Sequence, residues 1–303
     1  MKVALVGVGK IARDRHVPAI ENDPAFTLAA TADPCGGIDG VPAFATLDDL
    51  LRAGPTLDAV AICTPPQGRA ALAAKALGAG LHVLLEKPPA ATLGEVALLR
   101  EAAAAAGRTL FAAWHSRAAG AVEPARAWLA SRRVSGIRID WKEDIRRWHP
   151  GQDWILDAGG FGVFDPAINA LSIATAILPG RLLVTQADLA IPNDRQSPIA
   201  AEVGLACGDA DGHMSLDFLE RDAPCWTIVV ECDDGVLRLD DGGRVLLLDG
   251  ERRSYPNEEY PRLYRRFAGL IDDGRSDLDD EPSRLVADAL AIGRRRSTAT
   301  FSW

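Results

Sequence analysis

Short, continuously apolar segments alternate with helical repeats along the first third of the chain. The segments KVALVGVG, FTLAATADP, LDAVAICTPP and HVLLEKPP have the composition of buried strands, and helical patterns such as TLDDLLRAG and RAALAAKALGAG separate them. Buried strands that alternate with helices are typical of a parallel sheet with helices on both faces. The pattern predicts a doubly wound α/β domain over residues 1–120.

From about Glu123 the strand-like segments change in character. In GIRIDWKED, HMSLDFLE and WTIVVECDDG apolar and polar residues alternate, and Asp-Gly or Gly-Gly turns separate several segments. This alternation is typical of an antiparallel sheet with one wet face, and the helical segments PAINALSIATAIL, YPRLYRRFAGLIDDG and PSRLVADALAIGRRR can cover its other face. Residues 121–303 are therefore predicted to form an α+β domain with a mainly antiparallel open sheet.

Composition narrows the class of protein. The 303 residues carry a net charge of −9, which argues against non-specific binding to nucleic acid or to an anionic membrane. No apolar segment approaches the roughly 20 residues that span a bilayer, and the N-terminus does not resemble a signal peptide. The five cysteines form no CxxC pair and the five histidines are scattered, so we expect a cytoplasmic protein without a metal site.

A glycine motif lies between the first strand and the first helix. Gly7, Gly9 and Ala12 form a G-x-G-x-x-A pattern, in which the glycines let the backbone approach a pyrophosphate at the helix N-terminus. Asp33 ends the next strand, 24 residues after Gly9, where a carboxylate binds ribose hydroxyls. A turn-forming aspartate before Pro34 is the simpler alternative. The carboxylate favours NAD over NADP, because it would repel a 2′-phosphate and Pro34 offers no guanidinium.

A lysine ends the strand HVLLEKPP. Lys87 lies at the carboxyl end of a predicted parallel strand, where open α/β sheets bind ligands, and Pro88 and Pro89 restrict the backbone after it. From these residues alone, Lys87 could equally be a surface lysine in a loop between a strand and a helix. The residues that we predict to contact the cofactor are Gly7, Gly9, Lys10, Ile11, Ala12, Asp33, Thr64, Pro65, Pro66, Glu86 and Lys87.

The GxGxxA, TPP and EKP motifs, followed by an antiparallel second domain, resemble the Gfo/Idh/MocA oxidoreductases over essentially the whole chain. In that family the bond before the proline of the EKP motif is often cis. The resemblance therefore implies a cis bond before Pro88, a Lys87 that reaches the nicotinamide and the substrate, and a protein that forms a dimer. The longer segments GVGKIARDRHVPAI, WKEDIRRWHPGQDWI and GGFGVFDPAINALSI look very like bacterial aldose 1-dehydrogenases, which oxidise C1 of L-arabinose or D-galactose to a lactone. The alternatives are a dehydrogenase of another polyol, such as an inositol or a dihydrodiol, and a non-catalytic regulator.

The segment WKEDIRRWHPGQDW combines tryptophans with groups that can bond hydroxyls. The residues alone support two interpretations equally: a sugar-binding site, or an exposed polar loop whose tryptophans pack in the core. The resemblance implies that Glu143 and His149 contact the substrate. We expect Trp148 to stack against the sugar, because tryptophan rings commonly pack on carbohydrate C–H faces. Trp114 and His115 end an earlier strand, and we expect them to close the pocket.

The segment FDPAIN places Asp165 and Asn169 four residues apart, on one face of a helix. Asp165 before Pro166 is also a good helix N-cap that needs no chemical role. Many members of the wider family have a histidine near this position. This chain has Asn169 there instead, so a histidine base is not expected. In the mechanism that we predict, Lys87 stabilises the C1 oxygen, Asp165 accepts its proton and Asn169 orients the hydroxyl. The sequence leaves open whether Lys87 is the proton acceptor instead.

Overall fold

The computed structural model describes residues 1–303 and divides into two compact units. The first unit contains Met1–His115 and Glu259–Asp280, and the second contains Ser116–Glu258 and Glu281–Trp303. The chain first passes from one unit to the other between His115 and Ser116, close to the predicted boundary at residue 120. The single predicted boundary does not account for the return of the chain to the first unit after Glu258.

Six parallel strands form the sheet of the first unit, in the order β3-β2-β1-β4-β5-β6. This confirms the predicted doubly wound sheet. The order reverses between β1 and β4, and ligands of such sheets bind at the carboxyl ends of the strands next to this reversal. The strands are β1 (Lys2–Val6), β2 (Thr27–Ala32), β3 (Ala43–Phe44), β4 (Ala59–Ile62), β5 (His82–Glu86) and β6 (Leu110–Ala113).

The helices of this unit connect the strands. A helical segment over residues 10–21 follows β1; its middle turn, Ala12–His16, is π-helical and it ends in α1 (Val17–Glu21). The other connections contain α2 (Leu47–Ala53), α3 (Arg69–Gly78) and α4 (Leu93–Ala106). The central strands are buried on both faces because helices cover both sides, which explains their continuously apolar sequences.

The second unit is built on a nine-stranded sheet in the order β14-β13-β12-β11-β7-β10-β9-β8-β15. Only the pairs β7–β10 and β8–β15 are parallel, so the prediction of a mainly antiparallel sheet is confirmed. Its elements up to residue 254 are α5 (Val122–Leu129), β7 (Val134–Lys142), α6 (Ile145–Trp148), α7 (Phe164–Ile177), β8 (Leu182–Pro192), β9 (Ala200–Cys207), β10 (Ala210–Asp217), β11 (Cys225–Cys232), β12 (Gly235–Asp240), β13 (Val245–Leu248) and β14 (Glu251–Ser254).

One face of this sheet is buried and the other is wet, as β7 shows. Ile137, Ile139 and Trp141 are buried, whereas Arg138 between them is exposed. Helix α7 packs against β7 and β11. The hydrophobic alternation therefore identified both the strand and its inner face.

Helix α8 (Glu259–Asp272) belongs to the first unit, and here the prediction that it covers the antiparallel sheet is wrong. Its Phe267 ring stacks on Phe26 and Phe111, at centroid distances of 6.2 and 6.1 Å. Asp277, which follows the helix, bonds to the main chain of β6 through Leu110 and Ala112. An amphipathic pattern shows that a helix has an apolar face, but not which surface will cover that face.

The chain ends with α9 (Glu281–Ile292) and β15 (Arg294–Thr298) in the second unit. Helix α9 packs on α7 and on β8, and β15 adds an edge strand beside β8. None of the helices combines the length and apolar character needed to cross a membrane.

Candidate active site

The glycine loop after β1 has the shape that a dinucleotide phosphate requires. Gly7 adopts φ +86°, and a Cβ atom there would lie 2.8 Å from the backbone nitrogen of Thr64. A Cβ on Gly9 would meet no atom within 4 Å, so open space lies at the start of the following helix. Close packing at Gly7 and space at Gly9 fit a pyrophosphate bound at the helix N-terminus.

The other predicted residues of this loop differ in exposure. Lys10 is exposed and pairs with Asp14 one turn later, while Ile11 is half-buried and Ala12 is buried. Of these three, Lys10 presents a charged group to solvent near the loop.

Thr64 lies at the end of β4, beside the glycine loop. Its hydroxyl oxygen is buried and has no hydrogen-bond partner in the protein, whereas its carbonyl oxygen accepts from the Arg69 side chain. A buried hydroxyl without a partner is costly unless a ligand or water supplies one. Pro65 is exposed and Pro66 is buried next to it. Thr64 therefore fits the predicted cofactor site.

The Asp33 carboxylate is held against the glycine loop. One oxygen accepts from the Val8 N–H and the other from the Cys35 N–H, both at 2.7 Å. The bond to Cys35 is the turn-forming bond of the simpler interpretation, and the bond to Val8 places the same carboxylate next to the predicted phosphate site. The turn-forming role is therefore present, and contact of Asp33 with the ribose stays a prediction.

Arg13 is a cation near Asp33 that the sequence argument overlooked. Its side chain donates to the carbonyl oxygen of Val8 at 3.1 Å and to that of Gly37 at 2.9 Å. Pro34 directly follows Asp33 in the chain, whereas Arg13 lies in a helical segment 20 residues before Asp33. A guanidinium in this position bears on the choice between NAD and NADP.

The end of β5 is tied to the end of β4 by another residue that the sequence argument overlooked. Arg69 is buried and donates to the carbonyl oxygens of Glu86 and Pro88, and its Nε donates to that of Thr64 at 3.0 Å. The Lys87–Pro88 bond is cis, as the resemblance implied. The main chain around Lys87 is thus fixed by the first residue of α3. An arginine at the start of an alanine-rich helix gives no sign of this role in the sequence.

Glu86 is a buried carboxylate with three donors. Its Oε1 lies 2.6 Å from the Tyr260 hydroxyl and 3.0 Å from His16 Nε2, and its Oε2 accepts from the Lys87 N–H at 2.9 Å. On its other side the His16 ring lies 2.8 Å from the Tyr264 hydroxyl. Tyr260 and Tyr264 come from α8, so the return segment completes this network.

The electrostatics of the network favour an ion pair. Burial acts to raise the pKa of Glu86, but hydrogen bonding to His16 and its charge, together with Tyr260, bring it down to about 2. Burial also acts to lower the pKa of His16, yet Cys63, Tyr264 and Glu86 raise it well above its ordinary value. The burial of Tyr260 and the adjacent Glu86 raise the pKa of its hydroxyl, which therefore remains a donor.

Trp114 and His115, predicted to close the substrate pocket, make contacts inside the first unit. Trp114 is buried, and its indole N–H donates to the carbonyl oxygen of Asp279 at 2.9 Å. His115 Nδ1 lies 2.6 Å from Glu259, and its ring stacks on Tyr260 at 5.5 Å. Contact of either residue with substrate stays a prediction.

In the second unit, four residues form what we call the Glu143 cluster: Glu143, His149, Trp148 and Trp226. Glu143 is only 4% exposed, and its two carboxylate oxygens lie 2.9 Å from His149 Nε2 and 2.8 Å from Trp226 Nε1. The Trp148 ring meets Trp226 edge-on at 5.0 Å and is 37% exposed. The cluster thus combines a fixed carboxylate, an imidazole and an accessible indole.

Local structure explains how these residues meet. Glu143 directly follows β7, and α6 then reverses the chain, so that His149 returns to the carboxylate six residues later. Trp226 enters from β11, where it lies opposite Trp141 of β7. Trp226 was not predicted as a site residue, because it is remote from Glu143 in the chain. Its place in the alternating strand WTIVVECDDG was the available signal.

Asp165 and Asn169 lie on α7, but Asp165 is not its N-cap. The helix begins at Phe164, Val163 occupies the cap position, and the Asp165 N–H donates to the Gly162 carbonyl oxygen at 2.9 Å. The N-cap interpretation is therefore wrong, because the preceding turn, with Gly162 at φ +56°, starts the helix before the aspartate. Asp165 is 4% exposed, and the buried Asn169 Oδ1 has no hydrogen-bond partner in the protein.

Comparisons with known proteins agree with these observations. Residues 1–114 match the GFO_IDH_MocA model, described as an oxidoreductase family with an NAD-binding Rossmann fold. Galactose 1-dehydrogenase from Pseudomonas fluorescens is 48% identical over 308 aligned residues, which cover 99% of this chain and 98% of that protein. The chain belongs to the Gfo/Idh/MocA oxidoreductase family.

Solved structures extend the likeness to the whole fold. The crystal structure of D-galactose-1-dehydrogenase from Rhizobium etli superposes with a TM-score of 0.95 at 49% identity, covering 99% of this chain and 97% of that one. KijD10, a 3-ketoreductase from Actinomadura kijaniata in complex with NADP and TDP-benzene, gives a TM-score of 0.86 at 19% identity, with coverage of 98% and 99%. The second likeness shows the fold alone.

Membership of this oxidoreductase family accounts for the first unit as an NAD(P)-binding Rossmann domain. The glycine loop, Thr64 and Asp33 place a glycine turn, a buried hydroxyl and a carboxylate at the carboxyl ends of the strands. Lys87 adds an amine at the same edge of the sheet, since β4 and β5 are neighbouring strands.

Proposed function

We propose that this oxidoreductase is an NAD(P)-dependent aldose 1-dehydrogenase, which oxidises C1 of D-galactose to the lactone. The 48% identity with a galactose 1-dehydrogenase over 99% of the chain carries the proposal. The Glu143 cluster supports it independently, because a buried carboxylate and an exposed indole suit a ligand with both hydroxyl and C–H surfaces.

In this proposal the Glu143 cluster binds the sugar. The Glu143 carboxylate accepts hydroxyl hydrogens, and Trp226 and His149 hold the carboxylate in place as they do without substrate. The exposed Trp148 ring packs against a C–H face of the pyranose. A cluster already bonded internally loses little conformational entropy when the sugar binds.

L-Arabinose is the second substrate that we propose. Its pyranose shares the hydroxyl arrangement of D-galactose through C4 and lacks only the hydroxymethyl group at C5. A single group of this kind changes discrimination by only about 1–3 kcal/mol in a permissive pocket. We therefore expect turnover of both sugars.

The bound nicotinamide supplies the hydride acceptor at its C4 position. The protein must then stabilise the C1 oxygen as its charge grows and remove the C1 hydroxyl proton. We assign the first role to the Lys87 ammonium group and the second to the Asp165 carboxylate. Asn169 orients the hydroxyl, and its unpartnered Oδ1 is available to accept that bond.

NAD is the cofactor that we propose as preferred, because the Asp33 carboxylate suits a free ribose 2′-hydroxyl and repels a 2′-phosphate. Arg13 works against a strict preference, since its guanidinium borders the same loop. We therefore propose that NADP is also accepted, with a higher KM than NAD.

Cofactor reduction with a panel of substrates tests the proposal. Absorbance would be followed with D-galactose, L-arabinose and myo-inositol, each with NAD and with NADP. We expect NAD-dependent turnover of both aldoses and loss of at least about 100-fold in kcat in Lys87→Ala. Lys75→Ala is the matched control, because Lys75 pairs with Asp48 on the surface, and it should behave as the wild type.

Turnover of the cyclitol alone would replace the aldose assignment with a polyol dehydrogenase. Absence of turnover with every substrate would favour a non-catalytic sugar-binding regulator. Full activity in Lys87→Ala would remove the role of this lysine while leaving the substrate assignment intact.

A further inference from the structure

The main chain on both sides of Lys87 is held by hydrogen bonds. Its N–H donates to Glu86 Oε2 at 2.9 Å, and the carbonyl oxygens of Glu86 and Pro88 accept from Arg69. The backbone cannot shift here without leaving buried polar groups unpaired, which is costly. These bonds therefore fix the direction in which the Lys87 side chain leaves the strand.

The Glu86 carboxylate is fixed in turn by residues from two other elements. Its Oε1 receives the Tyr260 hydroxyl at 2.6 Å and His16 Nε2 at 3.0 Å, while its Oε2 serves Lys87. All three of Glu86, Tyr260 and His16 are at most 5% exposed. Two donors on one oxygen and one on the other define both the position and the plane of the carboxylate.

Tyr260 is held in its own place by a second pair. His115 stacks on the Tyr260 ring, with 21° between the planes, and is bonded to Glu259 at 2.6 Å. The first turn of α8 therefore contributes both the hydroxyl that bonds Glu86 and the carboxylate that bonds His115. Tyr264, one turn further along α8, bonds to His16 rather than to Glu86 itself, and Phe267 stacks on Phe26 and Phe111.

We propose that Tyr260 is a positioning residue for Lys87, acting through the Glu86 carboxylate and the Lys87 N–H. The inference rests on the proposed function to the extent that Lys87 is taken to act on the substrate. A purely structural role, docking of α8 on the first unit, is the competing explanation, and the two differ in what a loss of the hydroxyl changes.

Tyr260→Phe removes the hydroxyl and retains the ring. We expect kcat for D-galactose to fall about tenfold, with KM changed less than about twofold, because small displacements of a catalytic group slow the chemical step. Phe267→Leu is the control, since it weakens the packing of α8 without touching Glu86. It should lower the thermal unfolding temperature at least as much as Tyr260→Phe and leave kcat unchanged.

A second measurement needs no turnover. The chain has five lysines, so competitive acylation followed by peptide mass spectrometry reports the reactivity of Lys87 against Lys2 and Lys75 in the same sample. We expect the ratio of Lys87 to Lys2 labelling to change about threefold or more in Tyr260→Phe, because amine reactivity depends on its surroundings. The ratio should stay constant in Phe267→Leu.

The outcomes separate the two ideas. Equal losses of kcat in both variants, or an unchanged kcat and labelling ratio in Tyr260→Phe, would overturn the positioning role. A wild type that oxidises no aldose would overturn the proposed function, and the labelling ratio would still decide whether Tyr260 positions Lys87.

Discussion

At the scale of single residues, the buried charges of the first unit carry the clearest physical consequence. Glu86 and His16 form an ion pair almost without solvent contact, surrounded by Cys63, Tyr260, Tyr264 and His115. A buried ion pair contributes little more to the free energy of unfolding than a well-packed apolar pair. Removing one partner, however, leaves the other charge buried without compensation, which is strongly destabilising. The network therefore makes the first unit sensitive to pH and to substitution.

Glu86→Gln is expected to lower the free energy of unfolding by about 3–5 kcal/mol near pH 6. Because the folded pKa of Glu86 is about 2, below the ordinary 4.5, its contribution is present above pH 4.5 and is lost as the pH falls toward 2. The folded pKa of His16 lies well above 6.5, so its contribution is present below pH 6.5 and is lost as the pH rises through that folded value.

The difference between wild type and Glu86→Gln should therefore be largest between pH 4.5 and 6.5. Urea unfolding across that range and on either side of it measures this difference. The exposed Glu101 offers the matched control, Glu101→Gln. A difference that does not vary with pH would contradict the ion pair.

The Glu143 cluster leads to a prediction about sugar affinity. Trp226→Phe keeps an aromatic ring but removes the N–H that lies 2.8 Å from the Glu143 carboxylate. We expect KM for D-galactose to rise about fivefold, corresponding to about 1 kcal/mol for one hydrogen bond. Trp128→Phe, the same change in α5, should leave the kinetics unaltered. A fall in kcat with constant KM would argue against a binding role for Trp226.

At the scale of elements, α8 is the segment whose place in the fold differs most from its place in the chain. It follows β14 of the second unit in sequence, yet its Tyr264 and Phe267 pack against Phe26 of the first. Elements that unfold together share the stabilisation that a ligand provides. The binding of a dinucleotide should therefore stabilise α8 against local unfolding as well.

Hydrogen exchange with and without NAD tests this assignment. At 100 times the Kd, bound ligand adds about 2.7 kcal/mol, so the slowest amides of β1, β5 and α8 should exchange roughly 100-fold more slowly. Amides of β11 serve as the internal comparison. Protection of α8 that follows β11 rather than β1 would contradict its membership of the first unit.

At the scale of the whole molecule, the wet face of the nine-stranded sheet is the surface that we expect to mediate association. Along β7 its side chains include Arg138, Asp140 and Lys142, so this face is polar as well as broad. A dimer is the assembly that we propose. Light scattering should then give twice the chain mass of 32.2 kDa, and the mass of a single chain at micromolar concentration would contradict the prediction.

Local patterns were sufficient for much of this description. Strand burial, helix amphipathicity and glycine motifs depend on neighbours within a few residues, so both sheet types and the glycine motif were predicted from the linear order of residues. The roles of Lys87, Glu143 and His149 came from the family resemblance and stay predictions. The identity of Asp165 as a helical residue was also predicted, although its position relative to the helix start was not.

Long-range contacts were not readable in this way. Four hydrogen bonds in the two sites join residues that are between 17 and 174 positions apart. They are Arg69 to Glu86, Arg13 to Gly37, Trp226 to Glu143 and Tyr260 to Glu86. No periodicity records such pairs, because a side chain's partner depends on how distant segments pack together. The sequence therefore determined the two sheet types and the candidate groups, while the packing of α8 and β11 determined which distant side chains hold Glu86 and Glu143 in place.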